Sequence, residues 1–243
     1  MRYSILKAGK ATRATRERRG DYDSIFIDML RQEGQQWESH DVENGEFPSS
    51  FEGYDGFVIT GSPASANDDE PWVHGLLEAI RKIHQTGTPM LGICFGCQAV
   101  AQAMGGKVEI NPQGWDIGLS EVTLNETGRA FPSLENAPNP FRILEVHQDI
   151  VTRVPEGALV LGSSPRTPVE IFTLGENVLC IQGHPEMDHE MVRELIVKRH
   201  ERGMLDEERA QEGLASLAGA PHEAFLQGWL RAFMREGRLS RAA

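Results

Sequence analysis

The sequence predicts an α/β fold: a doubly wound, mostly parallel sheet with helices on both faces, a small antiparallel flap and a helical C-terminal tail. Three observations lead there. In the first half, short apolar segments alternate with stretches whose apolar residues recur at helical spacing, the pattern of a parallel sheet covered by helices. In the middle, short segments rich in Val, Ile and Leu follow one another with turn residues between them. Near the end, Phe225, Trp229 and Phe233 fall on one helical face.

Each element follows from its own residues. YSILKA (3–8) is a strand, and from Tyr22 the residues Phe26, Met29 and Leu30 trace a helical face. YDGFVITG (54–61) is a strand closing in a glycine. Val73, Leu76, Leu77, Ile80 and Ile83 mark a helix that stops at Gly87. PMLGIC (89–94) is a third strand, and GCQAVAQAMGG a helix ending at Gly105 and Gly106. Segments 107–110, 118–124, 141–146, 158–162, 169–174 and 178–182 are strands that extend the sheet or form the flap. A helix at 188–201 is followed by a polar stretch and then by HEAFLQGWLRAFMRE (222–236). The expected organisation is one domain over 1–202, with 203–243 as a helical extension packed on it. The stripe on that extension either packs on the parent domain or meets a partner or second copy, a homodimer. In such a sheet, ligands lie at the carboxyl ends of the strands.

Composition narrows the function. The chain has 243 residues, 40% hydrophobic and 25% charged, enough for one large packed core. No apolar run approaches the roughly 18 residues that span a membrane, and the apolar stretch in MRYSILKAGK ends at Lys7 without the long apolar region of a leader. A cytoplasmic protein is expected. Three cysteines do not make a disulfide framework, which fits a reducing compartment. The net charge of −12 and pI of about 5.1 argue against nucleic acid as a partner. One local exception is the run Lys7, Lys10, Arg13, Arg16, Arg18 and Arg19, either a solvated flexible loop or a basic rim that attracts an acidic small molecule.

The chemistry concentrates at GICFGCQ (92–98). Cys94 ends an apolar strand and begins a helix, flanked by Gly92 and Gly96. That is the pattern of a nucleophile elbow, a strained strand-to-helix turn that exposes one side chain and needs glycines for clearance. The helix N-terminus favours a thiolate, and the Phe95 N–H is placed to receive an oxyanion. A cysteine nucleophile needs a base and a group that orients it. In CIQGHPE (180–186) a strand ends in Gly183 and is followed by His184 and Glu186, stiffened by Pro185. These residues fall on the edge of the sheet where Cys94 sits. Cys94 and Cys97 could instead be a redox dithiol or half of a zinc site, but no second cysteine pair exists and the histidines lack ligand spacing. Cys180 reads as a small buried hydrophobe.

GICFGCQ together with GHPE resembles the class I glutamine amidotransferase family, whose signature is Gly-x-Cys-x-Gly-x-Gln with a distant His-x-Glu. Cys94 and His184 lie 90 residues apart, a separation of the size seen there. TGSP (60–63) resembles the family's glycine-rich oxyanion loop, and HQD (147–149) the segment that contacts the glutamine backbone. The resemblance implies a flavodoxin-like sandwich and a role for each motif. Cys94 would attack a γ-carbonyl to form a thioester. His184 would protonate the leaving amine and then activate water, with Glu186 orienting it. The Phe95 N–H and an N–H from Gly61 or Ser62 would hold the oxyanion. Gln98 and the backbone of His147, Gln148 and Asp149 would bind the amino-acid end of the substrate. No cofactor and no metal are expected. Cys97 occupies a position the family fills variously, from which it could trap an oxidised Cys94 as a disulfide.

EGQQW (33–37), YDGFVITGSP (54–63) and CIQGHPE also resemble a stand-alone branch, similar to the glutaminase domain of GMP synthase, that includes plant γ-glutamyl peptidases. Two substrates follow: glutamine, with ammonia handed to a synthase subunit, or a γ-glutamyl compound such as a glutathione conjugate. A non-catalytic flavodoxin-like module, or a cysteine hydrolase or chaperone sharing the sandwich, would not require the full set of Cys94, His184, Glu186 and Gln98.

Overall fold

The computed structural model describes residues 1–239. Its elements are β1 (Arg2–Lys7), α1 (Arg13–Arg19), α2 (Tyr22–Leu30), β2 (Gln36–Asp41), β3 (Gly56–Ile59), α3 (Pro71–Thr86), β4 (Met90–Ile93), α4 (Phe95–Ala103), β5 (Lys107–Ile110), β6 (Asp116–Leu124), the short α5 (Glu126–Arg129), β7 (Phe141–His147), β8 (Asp149–Arg153), β9 (Ala158–Ser163), β10 (Ile171–Leu174), β11 (Val178–Ile181), α6 (His189–Glu201), α7 (Glu207–Ser216) and α8 (Glu223–Glu236). Nine strands make one sheet in the order β2-β1-β3-β4-β11-β10-β9-β6-β7, and β5 pairs with β8 apart from it. The first five run parallel. Beyond β11 every pairing is antiparallel, so only β10 and β6 run against the rest. The result is a mostly parallel, flavodoxin-like sheet flanked by helices.

The layers follow from the two-residue period of a strand. In β1, Tyr3 and Ile5 face a core shared with α2, α6 and α8, whereas Leu6 faces a second core under α3 and α4. β3, β4 and β11 repeat the division: Val58, Leu91, Ile93, Leu179 and Ile181 lie on the first side, and Phe57, Ile59, Met90, Val178 and Cys180 on the second. β1 pairs with β2 on one side and with β3 on the other, so the connection reverses there. β3, β4 and β11 end nearly level, with Ile59 beside Gly92 and Ile93 beside Ile181. The loops after them are thereby brought to one edge.

Several elements had no apolar signature in the sequence. β2 is a half-exposed edge strand of sequence QWESHD. α1 is polar apart from Ala14 and is held by its ends: Thr12 accepts a hydrogen bond from the Thr15 N–H, and Gly20 closes it at φ 84°. The basic run is therefore in part a helix, not a loop. α7 is capped in the same way by Asp206. Among the described residues, no helix is long and apolar enough to cross a membrane.

The aromatic stripe of α8 is used inside the chain. Trp229 and Phe233 are buried in the first core, and Phe225 packs at a tilt on Phe141. The Tyr3 hydroxyl donates to the Met234 carbonyl at 3.0 Å, and Arg231 Nη1 donates to the Met29 carbonyl at 2.7 Å. Trp229→Ala is expected to cost about 3–5 kcal/mol, the usual range for a buried tryptophan, in a denaturant titration. Truncation after Arg202 would bare the apolar faces of α2 and the sheet; light scattering should show aggregation, and a soluble monomer would show that the tail is dispensable.

Candidate active site

Cys94 is the one non-glycine residue with positive φ among the described residues, at φ 52° and ψ −110°. Its N–H donates to the Ile181 carbonyl at 2.9 Å, and its carbonyl accepts from the Gln98 N–H at 3.0 Å, so the turn is tied to β11 and to α4. The glycines on either side are sterically required. A Cβ at Gly92 would stand 2.7 Å from the Gly96 carbonyl oxygen, and one at Gly96 would collide with the carbonyl oxygen of Ile59. The Phe95 N–H opens the helix beside the sulfur, while its ring is buried against Trp72.

His184 and Glu186 follow β11. The His184 N–H donates to the Leu144 carbonyl at 2.8 Å, and His184 Nδ1 lies 2.7 Å from Glu186 Oε1, with both side chains buried. Burial by itself pulls the imidazole down; the negative charges of Glu186 and of the Cys94 sulfur overrule it and hold His184 well above its ordinary value. Two distant elements brace this turn. Arg19 Nη1 of α1 donates to the Glu186 carbonyl at 3.1 Å, and Gln227 Nε2 of α8 donates to the Pro185 carbonyl at 3.0 Å. Gly61, after β3, closes the site: a Cβ there would lie 3.2 Å from His184 Cε1 and 3.7 Å from Cys94 Cβ.

The HQD segment reaches the same place. Gln98 Nε2 donates to the Asp149 carbonyl at 2.8 Å and to Gln182 Oε1 at 3.1 Å, and His147 Nδ1 stands 3.0 Å from that carbonyl. The Gln98 amide hydrogens are thus already used in fixing the segment. Ser65 Oγ donates to Asp149 Oδ2.

Two adjoining cavities meet at Cys94. The smaller, about 140 Å³, is bordered by Ser62, Gln98, His147, Gln148 and Asp149. The larger, about 280 Å³, is bordered by Gly61, Ser62 and His184 and extends past Lys10, Trp115, Lys198, Arg199 and Arg202. The structure therefore gathers every sequence-derived site residue around Cys94, with Glu186 behind His184. The basic rim differs from expectation. Of the N-terminal run only Lys10 borders the cavity; Lys7 pairs with Asp21 and Asp41, Arg13 with Glu17, and Arg18 and Arg19 with Asp188. The cavity's cations come mainly from α6. Arg199 stacks 4.8 Å over the Trp115 ring and meets no carboxylate among the described residues. Burial lowers its guanidinium from the ordinary arginine value. Cys97 faces the opposite core beside Cys180, and burial pushes its thiol well up.

These features define a hydrolase-type elbow on a flavodoxin-like sheet. The chain belongs to the class I glutamine amidotransferase family, matching it over residues 22–200, and is an enzyme of that type. It is 33% identical over 230 residues to Gamma-glutamyl peptidase 3 of Arabidopsis thaliana, covering 93% of this chain and 92% of the relative. It is 35% identical over 222 residues to Gamma-glutamyl peptidase 2 of the same plant, covering 89% and 88%. A glutamine amidotransferase structure from Thermotoga maritima shares the fold at a TM-score of 0.75 and 20% identity, covering 98% and 97%.

Because the His184 value is raised, its ring should stay protonated well above pH 6.5, its ordinary midpoint. Nitrogen-15 imidazole shifts should show a cationic ring at neutral pH. In Glu186→Gln, which removes the anion, the ring should turn neutral at distinctly lower pH. An unchanged titration would remove Glu186 as the cause.

Proposed function

We propose that the chain is a cysteine-dependent γ-glutamyl hydrolase whose substrate carries an anionic leaving group, with Cys94, His184 and Glu186 as the catalytic set. The Cys94 thiolate attacks the γ-carbonyl, and the carbonyl oxygen, now negative, turns to the N–H of Phe95 and of Gly61 or Ser62. Protonated His184, held by Glu186, gives its proton to the departing nitrogen as the tetrahedral intermediate collapses to a γ-glutamyl thioester. Neutral His184 then takes a proton from water, which attacks the thioester; glutamate leaves and the thiolate is restored. The HQD segment, fixed by Gln98, lines the lobe for the substrate's amino-acid end.

The larger cavity carries the choice of substrate. Glutamine releases ammonia, which is about the size of a water molecule and needs only about 30 Å³. The lobe beyond Cys94 is about 280 Å³ and holds Lys10, Arg199 and Arg202 beside the flat face of Trp115. That shape and charge suit a larger amine bearing a carboxylate, such as the remainder of a γ-glutamyl peptide. The similarity to two γ-glutamyl peptidases over nearly the whole chain supports the same reading. Glutamine shares the scissile bond and is the smallest substrate of the same machinery.

Glutamate release from glutathione and from glutamine, measured in parallel, should favour glutathione. Cys94→Ala should lose at least about 10³-fold on both, as expected for removal of a nucleophile. Arg202 borders only the larger lobe; Arg202→Gln should raise KM for glutathione about tenfold, the worth of one charge-assisted hydrogen bond, and leave glutamine turnover nearly unchanged. Fast ammonia release from glutamine with glutathione inert would overturn the peptide reading and point to an ammonia-accepting synthase. Activity surviving in Cys94→Ala would overturn the mechanism.

A further inference from the structure

Behind the HQD segment lies a closed polar cluster that the hydrolysis does not use. Glu145 and His147 are two residues apart on β7 and share a face of that strand. Glu170 joins them from the residue before β10. Their exposures are 0%, 3% and 1%. One donor atom from each lies within 4.8 Å of the other two, and Glu145 Oε2 is 3.3 Å from His147 Nε2.

None of the four carboxylate oxygens, and not His147 Nε2, makes a hydrogen bond within the described structure. The histidine shows why this matters. The Asp149 carbonyl can only accept, so Nδ1, 3.0 Å away, carries the hydrogen. Nε2 meets no acceptor in line and faces two buried carboxylates. Groups of this kind are almost always satisfied in a folded protein. A metal-bound histidine has this arrangement, with one nitrogen donating to a backbone carbonyl while the other faces the ion.

We propose that Glu145, His147 and Glu170 form a buried structural site for one divalent metal cation, zinc by its donor set. An ion of charge +2 cancels the two carboxylates, and one imidazole with two carboxylates is a donor set zinc accepts. Tetrahedral ligands at about 2.0 Å from zinc lie about 3.3 Å apart, the separation found between Glu145 and His147. The surroundings favour a cation. Asp116 and Glu186 add negative charge; Asp116 accepts from Ser120 and Thr167, with Arg209 at 3.9 Å, and His184 is the nearby positive group.

The site would stiffen the active-site floor from beneath. A Cβ on Gly183 would fall on Glu145 Oε1, so the cluster abuts the turn that carries His184. His147 also stands against the Asp149 carbonyl to which Gln98 donates. Sequence spacing gave no hint of this, because Glu170 meets the Glu145-x-His147 pair only through the fold; a metal departs from the sequence expectation of none.

The test is metal content, by plasma mass spectrometry, of the full chain purified without a metal-affinity column. About one zinc per chain is expected, retained in Cys94→Ala and lost in the double variant Glu145→Gln/Glu170→Gln, whose Tm should fall. A strong chelator should lower the Tm of the wild-type chain, which keeps the test open if the double variant fails to fold. Cobalt-loaded protein should show nitrogen and oxygen ligation without a thiolate charge-transfer band. No stoichiometric metal, either as purified or after dialysis from zinc into metal-free buffer, would overturn the site. So would metal that disappears in Cys94→Ala, or a double variant as stable as wild type, which would mean that protons neutralise the cluster.

Discussion

The turn at Cys94 is the constraint around which the other parts are arranged. A non-glycine residue held at φ 52° costs about 1–3 kcal/mol and persists only where its surroundings over-determine it. Here the Cys94 N–H is held by β11, its carbonyl by α4, and the glycines at 92 and 96 let strand and helix come within contact distance. Gly96 lies against the end of β3, from which the Gly61 loop departs. The sulfur, the Phe95 N–H and the Gly61 loop are therefore positioned by one packing event. The level ends of β3, β4 and β11 then bring His184 within reach of that event without any long-range adjustment.

The second dependence is electrostatic. His184 and Glu186 form a buried pair, and a buried charge that loses its partner typically costs 3–5 kcal/mol. Such a pair has to be held in place. The braces are Arg19 from α1 and Gln227 from α8, elements separated by most of the chain. α1 has almost no buried apolar surface of its own and is anchored largely by polar contacts to the turn after β11 and to α6. α8 contributes an apolar face to the core and a glutamine to the turn. The C-terminal helix thus belongs to the architecture of the site as well as to the hydrophobic core.

This division explains what was legible in the sequence. Strands β1, β3, β4 and β11 and helices α3 and α8 were visible because burial on a fixed period leaves apolar residues at predictable positions. Cys94, His184, Glu186 and Gln98 were visible because the elbow and the His-x-Glu turn are local in sequence. β2, α1 and α7 were not: a half-exposed edge strand and helices held by caps and ion pairs leave no apolar period. The basic residues of the cavity were legible only in part for a related reason: the N-terminal run could be a solvated loop or a basic rim, and of it only Lys10 borders the cavity. Charges on α1 and on α6 look alike in a sequence, and only the fold shows that most of the former are neutralised by Asp188 and its neighbours while Arg199 is not. The Glu145–His147–Glu170 cluster was invisible because its members are joined by tertiary structure alone.

Charge is therefore sorted within a chain of net −12. The acidic total repels polyanions at long range, whereas Lys10, Arg199 and Arg202 make a short-range cationic lobe inside a cleft with low-dielectric walls, where fields are focused. A cation left unpaired in such a place costs desolvation, and the lowered Arg199 value expresses that cost. In the proposed reaction a substrate carboxylate would relieve it on binding. In the proposed mechanism the elbow and its histidine would be indifferent to what departs from the γ-carbonyl, since thioester formation and hydrolysis are the same for ammonia and for a larger amine. Selectivity among γ-glutamyl compounds would consequently come from Lys10, Lys198 and Arg202, which border only the larger lobe. Those residues lie outside every motif that identifies the family.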